Sequence, residues 1–486
     1  MRPSIKLLDD QSVEQILSEA YALLEDPGIL VENEEARSLL QEAGAREKKS
    51  APIISIPEDL ARSAVDTVPK EFILYDLNGA PAVHYGGDRV HFDPGSAALN
   101  VLDRKTQRER PPTTKDFIDF VKLVEMLPQL DAQSTAMVPG DVAEEISDLY
   151  RLYLALLYMK KPIVTGAFRV DTWHFMKEML VTAAGGLEAL QQRPVAIFDV
   201  CPSPPLKWSN LTCQNLIDCA RHGIPSEMVS MPLTGATSPV TFAGAVVQHA
   251  AECLSGITIS QLAREGAPIV WGGSPAAFDM RQSTTPMGAV GTWMIDSAYT
   301  QIGKSLQLPT HAYLGLSDAK AVDAQCGLES AGGTLVAVLS RVNMVSGAGM
   351  MAFENCQSFE KLIIDAEIIG MAKHFLRGLQ IRQSPIALDL IREVGHDSQF
   401  ITHDHTNRWF KDEFYFPGPV IDRQTPDDWE ASGALTSWDR ASQQVDDLLA
   451  RYPGPTLSPA LSSELRKIAQ SAARRFGMDQ LPALPV

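Results

Sequence analysis

The sequence predicts an α/β protein: a TIM (β/α)8 barrel with an N-terminal helical extension and C-terminal capping helices. Eight short apolar runs recur between residues 91 and 349, and longer amphipathic patterns alternate with them. Runs that are apolar throughout, joined by crossover helices, read as parallel strands covered on their outer face. Eight such units favour closure into a barrel over an open doubly wound sheet. No GxGxxG or GxxxxGK[ST] fingerprint supports the open sheet.

In chain order, residues 1–90 form the extension. SVEQILSEAYALLEDPG reads as an amphipathic helix closed by Pro27-Gly28. NEEARSLLQEAG is a second, with Asn33 as N-cap and Gly44 at its end. IPEDLARSAVDTVP is a third, with Pro57 in its first turn. Residues 91–384 hold the barrel. Its strand candidates are HFDPGSAALNVL, LDAQSTAMV, PIVTGAF, PVAIFDV, SEMVSMP, PIVWGG, LPTHAYLG and VNMVSGAG. Three of the helices between them are well marked. One places Phe117, Phe120, Val121 and Val124 on one face and stops at Pro128. Another starts near Ser238-Pro239. A third follows Ser358 and ends by Gly378. Residues 385–486 differ: an aromatic and charged stretch, HDHTNRWFKDEFYFPGPVIDR, then a Pro-rich connection and a final helix, SPALSSELRKIAQSAARRFG.

Composition narrows the function. The 486 residues carry a formal net charge of -18. That argues against nucleic acid, which needs a basic face, and against an anionic membrane surface. No stretch approaches the length of a membrane helix, and MRPSIKLLDDQS lacks the apolar region of a signal peptide. The six cysteines are scattered, without a CxxC pair, and read as reduced thiols. A cytoplasmic protein is expected. No metal site is expected either; His403-Asp404-His405 lacks a third ligand at a familiar spacing.

A barrel builds its active site at the C-terminal strand ends. Here those ends give Phe168 and Arg169, Cys201 to Pro204, Pro232 to Thr237, Trp271 to Pro275, Tyr313 to Lys320, and Gly347 to Gly349. Several are rich in Gly, Pro and Ser, which let backbone approach a small ligand. Aromatics gather there: Phe168, Trp208, Trp271, Phe278, Tyr313 and Phe353. Aromatic faces hold a quaternary ammonium through the ring quadrupole. The loop SDAKAVDAQCGLES adds Asp318, Lys320, Asp323, Gln325 and Glu329, and Glu354 lies beyond strand eight. Carboxylates there suit a cation; the same residues also suit helix capping.

Five segments, FDPGSAALNVLD, MPLTGATSPVT, LGLSDAKAVDAQ, SGAGMM and HTNRWFKDEFYFP, in this order, resemble the trimethylamine methyltransferase family. More closely they resemble its non-pyrrolysine branch, which includes glycine betaine methyltransferases. The resemblance spans nearly the whole chain. It implies a barrel whose mouth binds a methylated amine and passes a methyl group to Co(I) of a corrinoid (cobalamin) carried by a partner protein, with no cofactor held tightly by this chain. Every position here is a standard residue, so pyrrolysine is absent. A quaternary amine leaves as a neutral amine and needs no general acid. Glycine betaine is therefore the first expected substrate. Proline betaine, carnitine, choline and dimethylsulfoniopropionate present the same methyl. A non-catalytic onium-binding protein and a zinc-dependent thiol methyltransferase are the other classes. The expected roles place Trp271, Tyr313 and Phe168 against the ammonium, with Phe353 and Gln325 in the substrate pocket. Asp318 and Glu354 are the expected catalytic residues, one or the other near the charge. Backbone N–H groups or His311 hold the carboxylate. A homo-oligomer is left open.

Overall fold

The structure, a computed structural model, describes all residues except 1, 50, 96, 397, 398, 456, 483, 485 and 486. Eight parallel strands form one sheet: β1 (His91–Pro94), β2 (Gln133–Ser134), β3 (Ile163–Thr165), β4 (Ala196–Val200), β5 (Ser226–Met228), β6 (Ile269–Gly273), β7 (Thr310–Tyr313) and β8 (Met344–Ala348). From β2 to β8 each strand pairs with its neighbour in sequence, and β8 returns to β1, with Val345 opposite Phe92. Backbone N–H groups of Asp131 and Ala132, at the start of β2, donate to Phe92 O on β1. The barrel is closed, and each expected strand segment contains one of its strands.

A helix follows every strand: α1 (Thr114–Met126), α2 (Ser147–Tyr158), α3 (Val170–Ala184), α4 (Asn210–His222), α5 (Phe242–Ala263), α6 (Val290–Ser305), α7 (Ala324–Ser340) and α8 (Phe359–Leu376). Local chemistry starts them where expected. Thr113 and Asp116 form a capping box at α1, and the Ser358 hydroxyl accepts from Lys361 N at α8. Helix α5 is apolar nearly all round, so it needs cover on two sides. The barrel supplies one. The N-terminal helices Asp10–Glu25 and Glu58–Thr67 supply the other.

A hairpin, Phe72–Tyr75 paired with Pro81–Tyr85, follows those helices. Its Leu74, Val83 and Tyr85 pack with Ala132, Val164, Ile197, Val270 and Met344 from the first residues of the barrel strands. The hairpin plugs the barrel from its N-terminal end. At the other end, Met350–Met351 and Cys356–Gln357 form a second hairpin just past β8.

The C-terminal part carries more helix than its sequence suggests. The Pro-rich connection contains a long helix, Ser437–Arg451, with its own capping box at Thr436 and Asp439; it packs on α8 and α1. The final helix, Pro459–Arg475, packs on α3 and α2. His403 is a helix N-cap, its Nδ1 accepting from His405 N at 3.0 Å.

Candidate active site

Side chains alternate in and out along a strand, so half of each strand faces the barrel axis. The inward set holds Asp93 on β1, Asp199 and Cys201 on and after β4, and Glu227 on β5. Ser274 follows β6, His311 and Tyr313 lie on β7, and Ser346 lies on β8. Gly272 of β6 makes room for His311. A Cβ there would lie 2.9 Å from His311 Nδ1.

The lower layer is a buried polar chamber. Tyr85, at the tip of the plugging hairpin, donates its hydroxyl to Glu227 Oε2 at 3.0 Å. His311 Nε2 stands 3.3 Å from Glu227 Oε1 and 3.0 Å from the Ser346 hydroxyl. Burial holds the His311 imidazole neutral, with its pKa lowered to about 3. Burial raises Glu227 and Asp93 well above the usual carboxylate range; Asp199 raises both further, and Asp93 raises Glu227. Asp93 has no hydrogen bond of full geometry to either oxygen among the described residues. The nearby Ser346 hydroxyl, engaged by His311, offsets its burial only in part.

The upper layer forms the mouth. Glu354 Oε1 accepts from the Ser274 hydroxyl at 3.1 Å. Burial, and then the charges of Asp318 and Asp199, raise its pKa to about 7. Glu354 sits in the loop of the hairpin past β8, where Ala352, Phe353 and Glu354 have φ of 50°, 61° and 63°. Three consecutive non-glycine residues in the left-handed region cost roughly 1–2 kcal/mol each. Backbone bonds to the β7 loop hold the strain: Ser317 N donates to Met350 O, and Ala352 N to Ala319 O. Strained turns of this kind cluster at active sites and ligand clamps.

Asp318 is placed differently. It is buried, and its carboxylate accepts from Met287 N at 2.8 Å and Gly288 N at 3.0 Å, tying the β7 loop to the loop before α6. Burial raises its pKa to about 6. Glu329 supports it from α7, accepting from Ser317 Oγ and Asp318 N. Gln325 is exposed and donates to Glu329, away from the barrel axis.

The aromatic residues do not assemble as expected. Trp271 points outward: its Nε1 donates to Tyr299 O on α6, and its ring lies against Gly303 of the same helix. It is a core residue between barrel and helix and does not face the barrel mouth, contrary to its expected place against an ammonium group. Trp208 is likewise buried, bonded to Ser255 on α5. Phe353 has Lys320 Nζ 3.8 Å from its ring centroid, and Phe168 has the Arg151 guanidinium at 4.4 Å. Tyr313 faces inward, edge-on to His311 at 5.0 Å.

Three acidic residues of the chamber, Asp93, Asp199 and Glu227, were missed by reading strand ends alone. Each interrupts an otherwise apolar run, HFDP, AIFDV and SEMV, at an inward position, and that interruption was a readable signal. Arg151 was also missed. It is buried on α2, with Nη1 donating to Thr135 O at 2.7 Å at the end of β2. Among the described residues no group of His, Cys, Asp and Glu has metal-holding geometry, and no helix is long and apolar enough to cross a membrane.

Comparison with known proteins agrees with this architecture. A glycine betaine methyltransferase from Desulfitobacterium hafniense is 28% identical over 477 residues, covering 98% of each chain. A trimethylamine methyltransferase from the same species is 28% identical over 469 residues, 96% of this chain and 94% of that protein. One from Methanosarcina mazei is 30% identical over 469 residues, 94% and 93%. The crystal structure of the monomethylamine methyltransferase of Methanosarcina barkeri superposes over 92% of this chain and 89% of that one, with a TM-score of 0.54 at 12% identity, which speaks to the fold. The family model described as trimethylamine methyltransferase (MTTB) matches residues 1–477. The chain belongs to the trimethylamine methyltransferase family.

Proposed function

We propose that this methyltransferase takes a methyl group from a small quaternary amine, glycine betaine first, and delivers it to the reduced corrinoid of a partner protein. The carboxyl groups around the barrel mouth are the single observation that carries the amine reading. A quaternary nitrogen cannot donate a hydrogen bond, so charge and ring faces must recognise it. With Trp271 turned away, charge has the larger share. Glu354 stands beside the nitrogen, Tyr313 gives an inward ring, and the chamber of Asp93, Asp199 and Glu227 lies below. Asp318 acts at one remove, by holding the loop opposite Glu354. For the substrate carboxylate, Arg151 offers positive charge on the β2–β3 side of the mouth, and His311 a neutral imidazole.

The corrinoid is the acceptor. It supplies the electron pair for the new bond to the methyl carbon, while the C–N pair leaves with the neutral amine. No proton moves in that step, so the chain's work is positioning and electrostatics. A flat macrocycle needs an apolar rim. Phe168, Met231, Val240 and Met280, on the loops after β3, β5 and β6, are exposed large apolar side chains at that end. They fit a docked partner.

The test is an absorbance assay in which the protein, cob(I)alamin and glycine betaine are mixed and methylcobalamin is followed. Turnover with glycine betaine is expected. Turnover with choline or carnitine and none with glycine betaine would move the substrate. No methylcobalamin from any onium compound would leave a binding protein.

A further inference from the structure

Below and beside the mouth, the barrel carries carboxyl groups without matching positive charge. Asp93 and Glu227 are fully buried in the chamber, and Asp296 on α6 is buried with no hydrogen-bond partner to either oxygen among the described residues. Among those residues, no Lys or Arg nitrogen lies within ion-pair distance of Asp93, Glu227, Asp296 or Glu354; the neutral His311 is the partner of Glu227. Ionising all of them together in a low-dielectric interior would cost far more than folding supplies. The cluster therefore keeps protons while the mouth has no cation in it.

We infer that the cluster exchanges a proton for the substrate's charge: a quaternary cation seated at the mouth expels one proton from the carboxyl groups of Glu354, Glu227 and Asp93, with Tyr85 as the positioning residue for Glu227. This rests on the reading that the mouth binds a quaternary amine. The balance is simple. A carboxylic acid loses its proton to the buffer, and the resulting carboxylate faces the quaternary ammonium, so the site gains no net charge. Glu354 is the half-buried member and the exit to solvent.

The groups facing the cluster favour this exchange. Glu354 has Asp318 from the β7 loop, Asp199 and Cys201 from β4, and Asp296 and Tyr299 from α6 in its field. Burial first, and the charges of Asp318 and Asp199 second, keep it partly protonated at neutral pH until a cation arrives. Glu227 has Asp93, Asp199 and Tyr85 around it, and Asp131 adds to the field on Asp93. Arg151 lies in the field of Asp199. The Tyr85 hydroxyl stabilises the ionised form of Glu227. The N-terminal hairpin is thus part of the site's electrostatics as well as a plug.

Titration calorimetry of the full chain tests it, with tetramethylammonium chloride and glycine betaine as probes, in phosphate and in Tris at pH 7. Tetramethylammonium has no titrating group, so any proton comes from the protein. Release of about 0.5–1 proton per bound cation is expected, and affinity should rise up to about tenfold per pH unit from pH 6, flattening above 8. Tyr85→Phe should shift that pH profile upward, because Glu227 loses a donor that favours its ionised form. Glu227→Gln, read in the same way, should release fewer protons. Binding with equal heats in both buffers and a flat pH profile would overturn the exchange and leave the amine reading standing. No binding of either probe would overturn both. A Tyr85→Phe profile identical to wild type would remove Tyr85 from the proposal.

Discussion

Asp318 and Glu354 stand past neighbouring strands, β7 and β8, and the fold uses them in opposite ways. Asp318 accepts two backbone N–H groups and fastens one loop to another. Glu354 is held out on a left-handed turn and accepts a single hydroxyl from Ser274. A carboxylate whose lone pairs serve the backbone is scaffold. One presented at a conformational cost, with acceptor capacity left, is available to a ligand. Charge at a strand end therefore does not identify a site; the company the charge keeps does.

The largest expected effect lies on the scaffold side. Asp318→Ala leaves two buried N–H groups without acceptors and should cost about 2–4 kcal/mol in chemical denaturation. A neutral result would make the two carboxylates alike and erase the contrast. The opposite sign is expected at the turn. Glu354→Gly relieves one left-handed residue and should stabilise the protein by about 1 kcal/mol, while weakening glycine betaine binding. Loss of stability there would show that the turn stores no strain.

The smallest effect is on pH. The folded-state pKa of Glu354, about 7, lies above its ordinary value. Its contribution to stability is therefore complete below pH 4–5 and is lost as pH rises through 7. The unfolding free energy of the ligand-free protein should fall by roughly 1 kcal/mol between pH 6 and 8, and Glu354→Gln should flatten that slope. A slope unchanged in the variant would assign the titration to other groups, Asp318 among them, since its folded-state pKa of about 6 gives the same sign over a lower window.

The barrel was legible because its strands are compact apolar runs between strong helix starts such as Thr113 and Ser358. Position along a strand was legible too, but not the side. Val270 faces the barrel interior and Trp271 the helices, and a rule that selects strand ends cannot separate adjacent residues of opposite facing. That is why the aromatic set dissolved while the acidic set emerged. The turn at Ala352–Glu354 carried no local mark, because left-handed backbone is ordinarily signalled by Gly or Asn. It arises from a short hairpin pinned to the β7 loop, a tertiary cause. The helix Ser437–Arg451 was hidden by prolines on its C-terminal side, at Pro453 and Pro455, which begin just after its last turn.

Methyl transfer from glycine betaine to cob(I)alamin, measured for Glu354→Gln beside Asp318→Asn at matched folded concentration, bears most directly on the claim that a carboxylate at the mouth recognises the substrate's charge. Glu354→Gln is expected to lose at least tenfold in kcat/KM, about 1.4 kcal/mol of recognition, while the folded fraction of Asp318→Asn keeps most of its activity. Equal activity in wild type and Glu354→Gln would show that no charge at position 354 takes part in recognition.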